Sequence, residues 1–195
     1  MKHLTSHRSF IITFTSILLA PTLLHAHPGH HEVGFLSGFH HPITGLDHIL
    51  AMISVGLWAA QIGGRTLWLI PTAFVSMMIL GGSLGMAGIE IPMIEHGILA
   101  SVFILGLLIA TATHLPLFGS ALLVSLFALC HGFAHGAEMP VNTSGFMYVG
   151  GFALATVLLH GFGMSIAWGF RRIFSESTLR FSGAAIVLGG LYLSL

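Results

Sequence analysis

The sequence predicts an all-α, polytopic membrane protein, and three observations carry that expectation. Of 195 residues, 55% are hydrophobic and only 6% are charged, against about 25% charged in a soluble domain. The mean hydropathy is +0.95. The apolar residues also fall into runs near the ~20 residues that carry a helix across a ~30 Å hydrocarbon core. These runs are apolar throughout, without the period-two alternation of a membrane β-barrel. Lys+Arg and Asp+Glu number six each, so no basic field invites nucleic acid. No Gly-x-x-x-x-Gly-Lys-Ser/Thr loop offers a nucleotide site. Cys130 is the single cysteine, which excludes an intramolecular disulfide.

Residues 1–26 read as a cleavable signal peptide. Lys2 and Arg8 supply the positive region, Phe10 to Ala20 the apolar core and Leu24-His25-Ala26 a small-residue cleavage site. Pro21 and the short apolar core argue against an uncleaved span. Residues 27–195 then form one six-helix membrane domain with a short histidine-rich N-terminus. Its spans are expected at about 43–62, 66–88, 94–113, 117–137, 146–170 and 178–195. Gly63-Gly64-Arg65, Ile89-Glu90-Ile91-Pro92, His114-Leu115-Pro116 and Met139-Pro140-Val141-Asn142 interrupt them. With an exported N-terminus, Arg65, Arg171, Arg172 and Arg180 all fall inside and no Lys or Arg of the mature chain falls outside, in line with the positive-inside rule. The expected location is a bacterial cytoplasmic (inner) membrane.

Histidine is the anomaly, with 14 copies, and an ionisable group inside a membrane marks function. The first cluster is His41-Pro42-Ile43-Thr44-Gly45-Leu46-Asp47-His48 at the outer end of span 1. Pro42 suits a first helical turn, and His41 and His48, seven apart, would share one stripe two turns long with Asp47 to one side. The second is His131-Gly132-Phe133-Ala134-His135-Gly136-Ala137-Glu138 near the end of span 4. Its spacing puts His131, His135 and Glu138 on one helical face. Gly132, Ala134, Gly136 and Ala137 leave room for another backbone to approach. Weaker candidates are Glu95 and His96 at the start of span 3, and His160 in the middle of span 5. Either histidine, His96 or His160, reads as a partner of the site or as a step along a conduction path.

Span 1 runs inward with its cluster at the start, and span 4 runs outward with its cluster at the end. Both clusters, and Glu95-His96, are therefore expected in one layer near the exported face. Imidazoles with carboxylates suit Ni, Co, Zn or Fe over the all-oxygen shells of Ca and Mg. A metal would also neutralise Asp47 and Glu138, whose unpartnered burial costs several kcal/mol. The alternative is an interhelical Asp–His and Glu–His network without metal. His27, His30, His31, Glu32 and His40 add an exported segment with affinity for the same ions, either as a site or as a plain tail.

His-Pro-x-x-Gly-x-Asp-His at 41–48 and His-Gly-x-Ala-His-Gly-x-Glu at 131–138 resemble the HupE/UreJ family of nickel and cobalt permeases. The resemblance covers essentially the whole chain. It implies a secondary permease, not an enzyme, with no permanently bound cofactor. The cargo it implies is Ni²⁺ or Co²⁺, with Zn²⁺ also open, for supply to hydrogenase or urease. The family's important positions carry over as His41, Asp47, His48, His131, His135 and Glu138. The family usually has an aromatic residue where this chain has Cys130; a thiol there either joins the site, softening it towards Cu(I) or Zn, or is a small buried apolar residue. Partners are the ion and the bilayer, and a homo-oligomer is compatible with the sequence. Because protons compete with metal for imidazole, uptake is expected to fall as external pH drops below ~6.5. The rival readings are a membrane metalloenzyme of the non-haem iron type, a bis-histidine haem carrier and a metal-binding accessory protein. A Soret band would point to haem.

Overall fold

Helix formation follows the apolar runs. The computed structural model describes residues 34–89, 91–173 and 176–195. The expected signal peptide and His27, His30, His31, Glu32 and Glu90 lie outside those residues. Among the described residues there are seven helices and no strand: α1 (Phe35–Thr44), α2 (Leu46–Ile62), α3 (Thr66–Met86), α4 (Ile94–Thr111), α5 (Leu117–Ala137), α6 (Gly145–Ile173) and α7 (Glu176–Leu193). The expected interruptions separate them. Gly63 ends α2 at φ +79°, where L side chains are strained, and its N–H caps the Ala59 carbonyl.

Helices α3, α4, α5 and α6 have the length and apolarity of membrane spans, while the apolar stretch of α7, Ser177–Leu193, is shorter. The first expected span differs most. It begins earlier, at Phe35, and is broken at Gly45 into α1 and α2 with an 86° bend. Pro42 therefore lies inside α1 near its end, not in a first turn. Having no N–H, it cannot bond the Gly38 carbonyl, and the helix stops two residues later. Thr44 Oγ1 donates to the His41 carbonyl at 2.9 Å, satisfying one of the carbonyls that a helix end leaves open. His41 and His48 thus sit on two helices that meet at a corner, not on one continuous stripe.

The side-chain distribution is that of a protein solvated by lipid. Leu107, Leu122, Leu126, Val157, Leu158 and Leu188 face outward in mid-helix, whereas Ser54, Ser101, Ser120, Thr156, His131, His135 and His160 are buried. In water such an outer surface would be an aggregation hazard. In a bilayer, apolar residues face the chains and polar ones face the bundle. This is a multi-pass membrane protein.

The closest packing is between α3 and α5, and the small residues of the second cluster produce it. A Cβ on Gly132 would overlap the Met78 carbonyl oxygen, and one on Gly136 the Gly82 carbonyl oxygen. The two backbones are in direct contact, as small-residue helix interfaces allow. Ala134 is buried on another side of the helix, facing the α1–α2 corner, and Ala137 is exposed. At the opposite end of the bundle from the two histidine clusters, the arginines close helix ends. The Arg171 guanidinium donates to the Ala60 and Gln61 carbonyls at 3.0 and 2.8 Å, and Arg180 Nε donates to the Ala110 carbonyl at 2.8 Å. Cations at helix C-termini also complement the dipole.

Candidate metal site

The corner at Gly45 and the end of α5 bring four imidazoles together. Ring centroids are 4.7 Å apart for His48 and His135, and 4.8 Å apart for both His48–His131 and His41–His135. His41 and His48 are 6.4 Å apart. With metal–nitrogen bonds of about 2.0–2.1 Å, two imidazoles on one ion place their centroids about 4.5–5.2 Å apart for angles from 90° to tetrahedral. The rings therefore have the spacing of a shared ion. Their nitrogens do not yet converge, since no three His, Cys, Asp or Glu side chains among the described residues form a ready ligand set. Ring rotation is needed to complete a site.

Among the described residues, hydrogen bonds set which nitrogen of His41, His48 and His131 is free. Asp47 Oδ1 accepts from His48 Nδ1 at 2.9 Å and from the His48 backbone N–H at 2.8 Å. A carboxylate only accepts, so the lone pair of His48 lies on Nε2, which is buried without a partner. Glu138 Oε2 likewise accepts from His41 Nε2 at 2.9 Å, leaving the lone pair on Nδ1. Ser101 Oγ donates its only hydrogen to the Ile98 carbonyl at 2.6 Å. It therefore accepts from His131 Nε2–H at 2.9 Å, and His131 Nδ1 is left as a buried, unpartnered lone pair. Neither nitrogen of His135 has a partner among the described residues; its ring stacks on Phe152 at 5.3 Å. A neighbour that holds the N–H of one ring nitrogen while the other faces inward is the usual support of a metal-binding histidine.

The carboxylates differ from expectation. Their side chains remain 28% (Asp47) and 57% (Glu138) exposed, so neither needs a cation to offset full burial. Glu138 points to the same side of α5 as His135, since both meet His41. It sits at the C-cap just beyond the helix, from where it reaches His41. In this arrangement the two acids orient imidazoles.

The site opens into a cavity of about 250 Å³ lined by His41, Thr44, Gly45, Asp47, His48, Glu95, Ala134 and Glu138. The shared layer expected for the two clusters and Glu95 is therefore a shared cavity. His96 and His40 are exposed and do not line it. Cys130 faces Gly97 of α4, where a Cβ would stand 2.6 Å from its Sγ, and does not line the cavity either. Gly45 leaves space, since a Cβ there would lie 2.8 Å from Asp47 Oδ1 and 3.1 Å from His48 Nδ1.

Sequence reasoning missed Ser101, Phe74 and Tyr148. Ser101 is one hydroxyl in an apolar run of span 3 and carries no motif. Phe74 stands 5.8 Å from the His131 ring, and Tyr148, 6.3 Å from the His41 ring, has a buried hydroxyl without a partner among the described residues. Ser101→Ala is expected to release the His131 tautomer and weaken divalent-metal binding about 10–100-fold, with Ser101→Thr close to wild type. Titration of the purified protein with Co²⁺, followed by visible absorption, measures this.

The family model described as HupE / UreJ protein matches residues 15–193. Protein HupE of Rhizobium leguminosarum bv. viciae is 43% identical over 182 residues, which cover 93% of this chain and 95% of that protein. No solved structure matches. With the family model and this relative both spanning nearly the whole chain, the protein belongs to the HupE/UreJ family.

Proposed function

We propose that the protein is a secondary permease that takes up a divalent transition-metal ion, Ni²⁺ or Co²⁺, across the cytoplasmic membrane. The observation that carries this reading is the group of four imidazoles at one end of an apolar bundle, with buried nitrogens of His48, His131 and His135 unpartnered among the described residues and a cavity lined by His41 and His48. The family is associated with nickel and cobalt uptake for hydrogenase or urease, which supports the choice of ion. His41, His48, His131 and His135 bind the ion, while Asp47, Glu138 and Ser101 hold the rings. Neutral imidazoles suit a borderline ion, and the two carboxylates nearby lower the cost of bringing a double positive charge out of water.

The driving force needs no nucleotide. An inside-negative potential favours entry by about 2.3 kcal/mol per charge per 100 mV, hence about twice that for a divalent ion. The arginines lie at the end of the bundle away from the imidazoles, which by the positive-inside rule supports an exported imidazole end. The experiment is uptake of Ni²⁺, Co²⁺ and Zn²⁺ into proteoliposomes by the wild type and by His131→Ala. Wild-type uptake that rises with an imposed inside-negative potential, and a loss of at least about tenfold in the variant, is the expected result. Wild-type vesicles that move none of these ions would refute the permease reading.

A further inference from the structure

His160 takes no part in the group of four imidazoles. It lies in the middle of α6, 1% exposed, and neither of its ring nitrogens has a partner among the described residues. Buried polar atoms are normally satisfied, yet here an N–H and a lone pair both go unused. The backbone crossing around it is tight, because a Cβ on Gly56 of α2 would overlap the His160 carbonyl oxygen. On the α3 side stands Phe74, fully buried. The Phe74 ring is 5.2 Å from His160, edge to face, and 5.8 Å from His131.

The helix register gives the depth of each group. The His135 and Phe152 rings stack, so they lie level. From there His131 is four residues back along α5, about 6 Å, and His160 eight residues further along α6, about 12 Å. Because α5 runs towards the site and α6 away from it, both displacements point towards the arginine end. His160 is thus about 6 Å deeper than His131, with the Phe74 ring beside both.

We propose that His160 is an inner station for the transported divalent ion, and that Phe74 is the partition the ion passes between His131 and His160. This rests on the permease reading above. A neutral imidazole suits an intermediate stop, because it ligates a borderline ion but, when empty, leaves no charge in the hydrocarbon. A phenyl ring at the boundary keeps water from following, so the ion leaves one imidazole for the next without a hydrated path. Rotation of the Phe74 side chain opens the way.

The test uses the full-length protein and Co²⁺ as probe. His160→Ala is expected to bind Co²⁺ within about twofold of wild type and to take it up into proteoliposomes at least about tenfold more slowly, whereas His131→Ala loses both. Uptake by His160→Ala within about twofold of wild type overturns the station, and so does a parallel loss of binding and uptake. For the partition, diethyl pyrocarbonate labelling with mass spectrometry reads access to each neutral imidazole. His160 is expected to be protected in the wild type and labelled at least about fivefold faster in Phe74→Leu, or in Phe74→Ala if the milder change leaves it protected. Protection unchanged in both overturns the partition. Wild-type vesicles that take up no ion defeat the permease reading and the station with it, while a defect confined to the variant's uptake separates the two.

Discussion

Replacing His48 by alanine is expected to weaken Ni²⁺ or Co²⁺ binding by more than about 100-fold, beyond the 10–100-fold loss usual for a residue that only orients a ligand. His48 is the most connected of the four rings. Its centroid is 4.7 Å from that of His135 and 4.8 Å from that of His131, its Nδ1 is tied to Asp47, and its buried Nε2 has no partner among the described residues. Removing it takes away a donor atom and also the surface against which two other rings are set. Because the ring also bonds Asp47 and packs on His131 and His135, some loss of thermal stability should accompany the loss of affinity. Calorimetric titration of the detergent-purified protein measures the affinity, with His96→Ala as a control, since His96 is exposed and away from the cavity. A His48→Ala Kd within about tenfold of wild type would show that the ion is held elsewhere. Asp47→Asn, which keeps the shape but lets the His48 tautomer change, should fall between, at about 10–100-fold.

Gly132→Ala should have the largest effect on stability. A Cβ there meets the Met78 carbonyl oxygen and the carbon behind it, and a backbone cannot rotate away as a side-chain tip can. Helices α3 and α5 must separate along their closest contact. Overpacking commonly costs about 1–3 kcal/mol and occasionally more; with backbone as the obstacle, about 3 kcal/mol or more is expected. Metal binding should fall with it, because His131 and His135 ride on α5. Gly161→Ala is the contrasting variant, since nothing lies within 4 Å of a Cβ at that position. There the helical preference for Ala over Gly should leave stability unchanged or raise it by up to about 1 kcal/mol. Thermal unfolding of both variants decides the matter. Equal melting temperatures would mean that the α3–α5 contact does not limit stability.

Much of the fold was legible because burial in lipid constrains composition so strongly. Expected spans at 66–88, 94–113 and 117–137 fall on Thr66–Met86, Ile94–Thr111 and Leu117–Ala137, since length, apolarity and the breakers between them act together. The corner at Gly45 was not legible. Its cue, His-Pro-x-x-Gly, reads equally well as a helix start, and what decides otherwise is α1 packing on α6, where Gly38 lies against Tyr148 and Gly151 against Phe35. The meeting of the two histidine clusters followed from counting spans. The tautomers could not, because Ser101 and His131 are 30 residues apart and no local pattern links them.

The sequence by itself determined the solvent, the helices, and the end of the bundle at which imidazoles and acids gather, because each depends on composition or periodicity along the chain. Only the tertiary structure decided which nitrogen of His41, His48 and His131 is free, that Glu138 serves His41 from the C-cap of α5, and that the Phe74 ring lies beside both His131 and His160. Those are contacts between helices distant in sequence, fixed by which glycines let backbones touch and by which hydroxyl or carboxylate happens to reach a given ring.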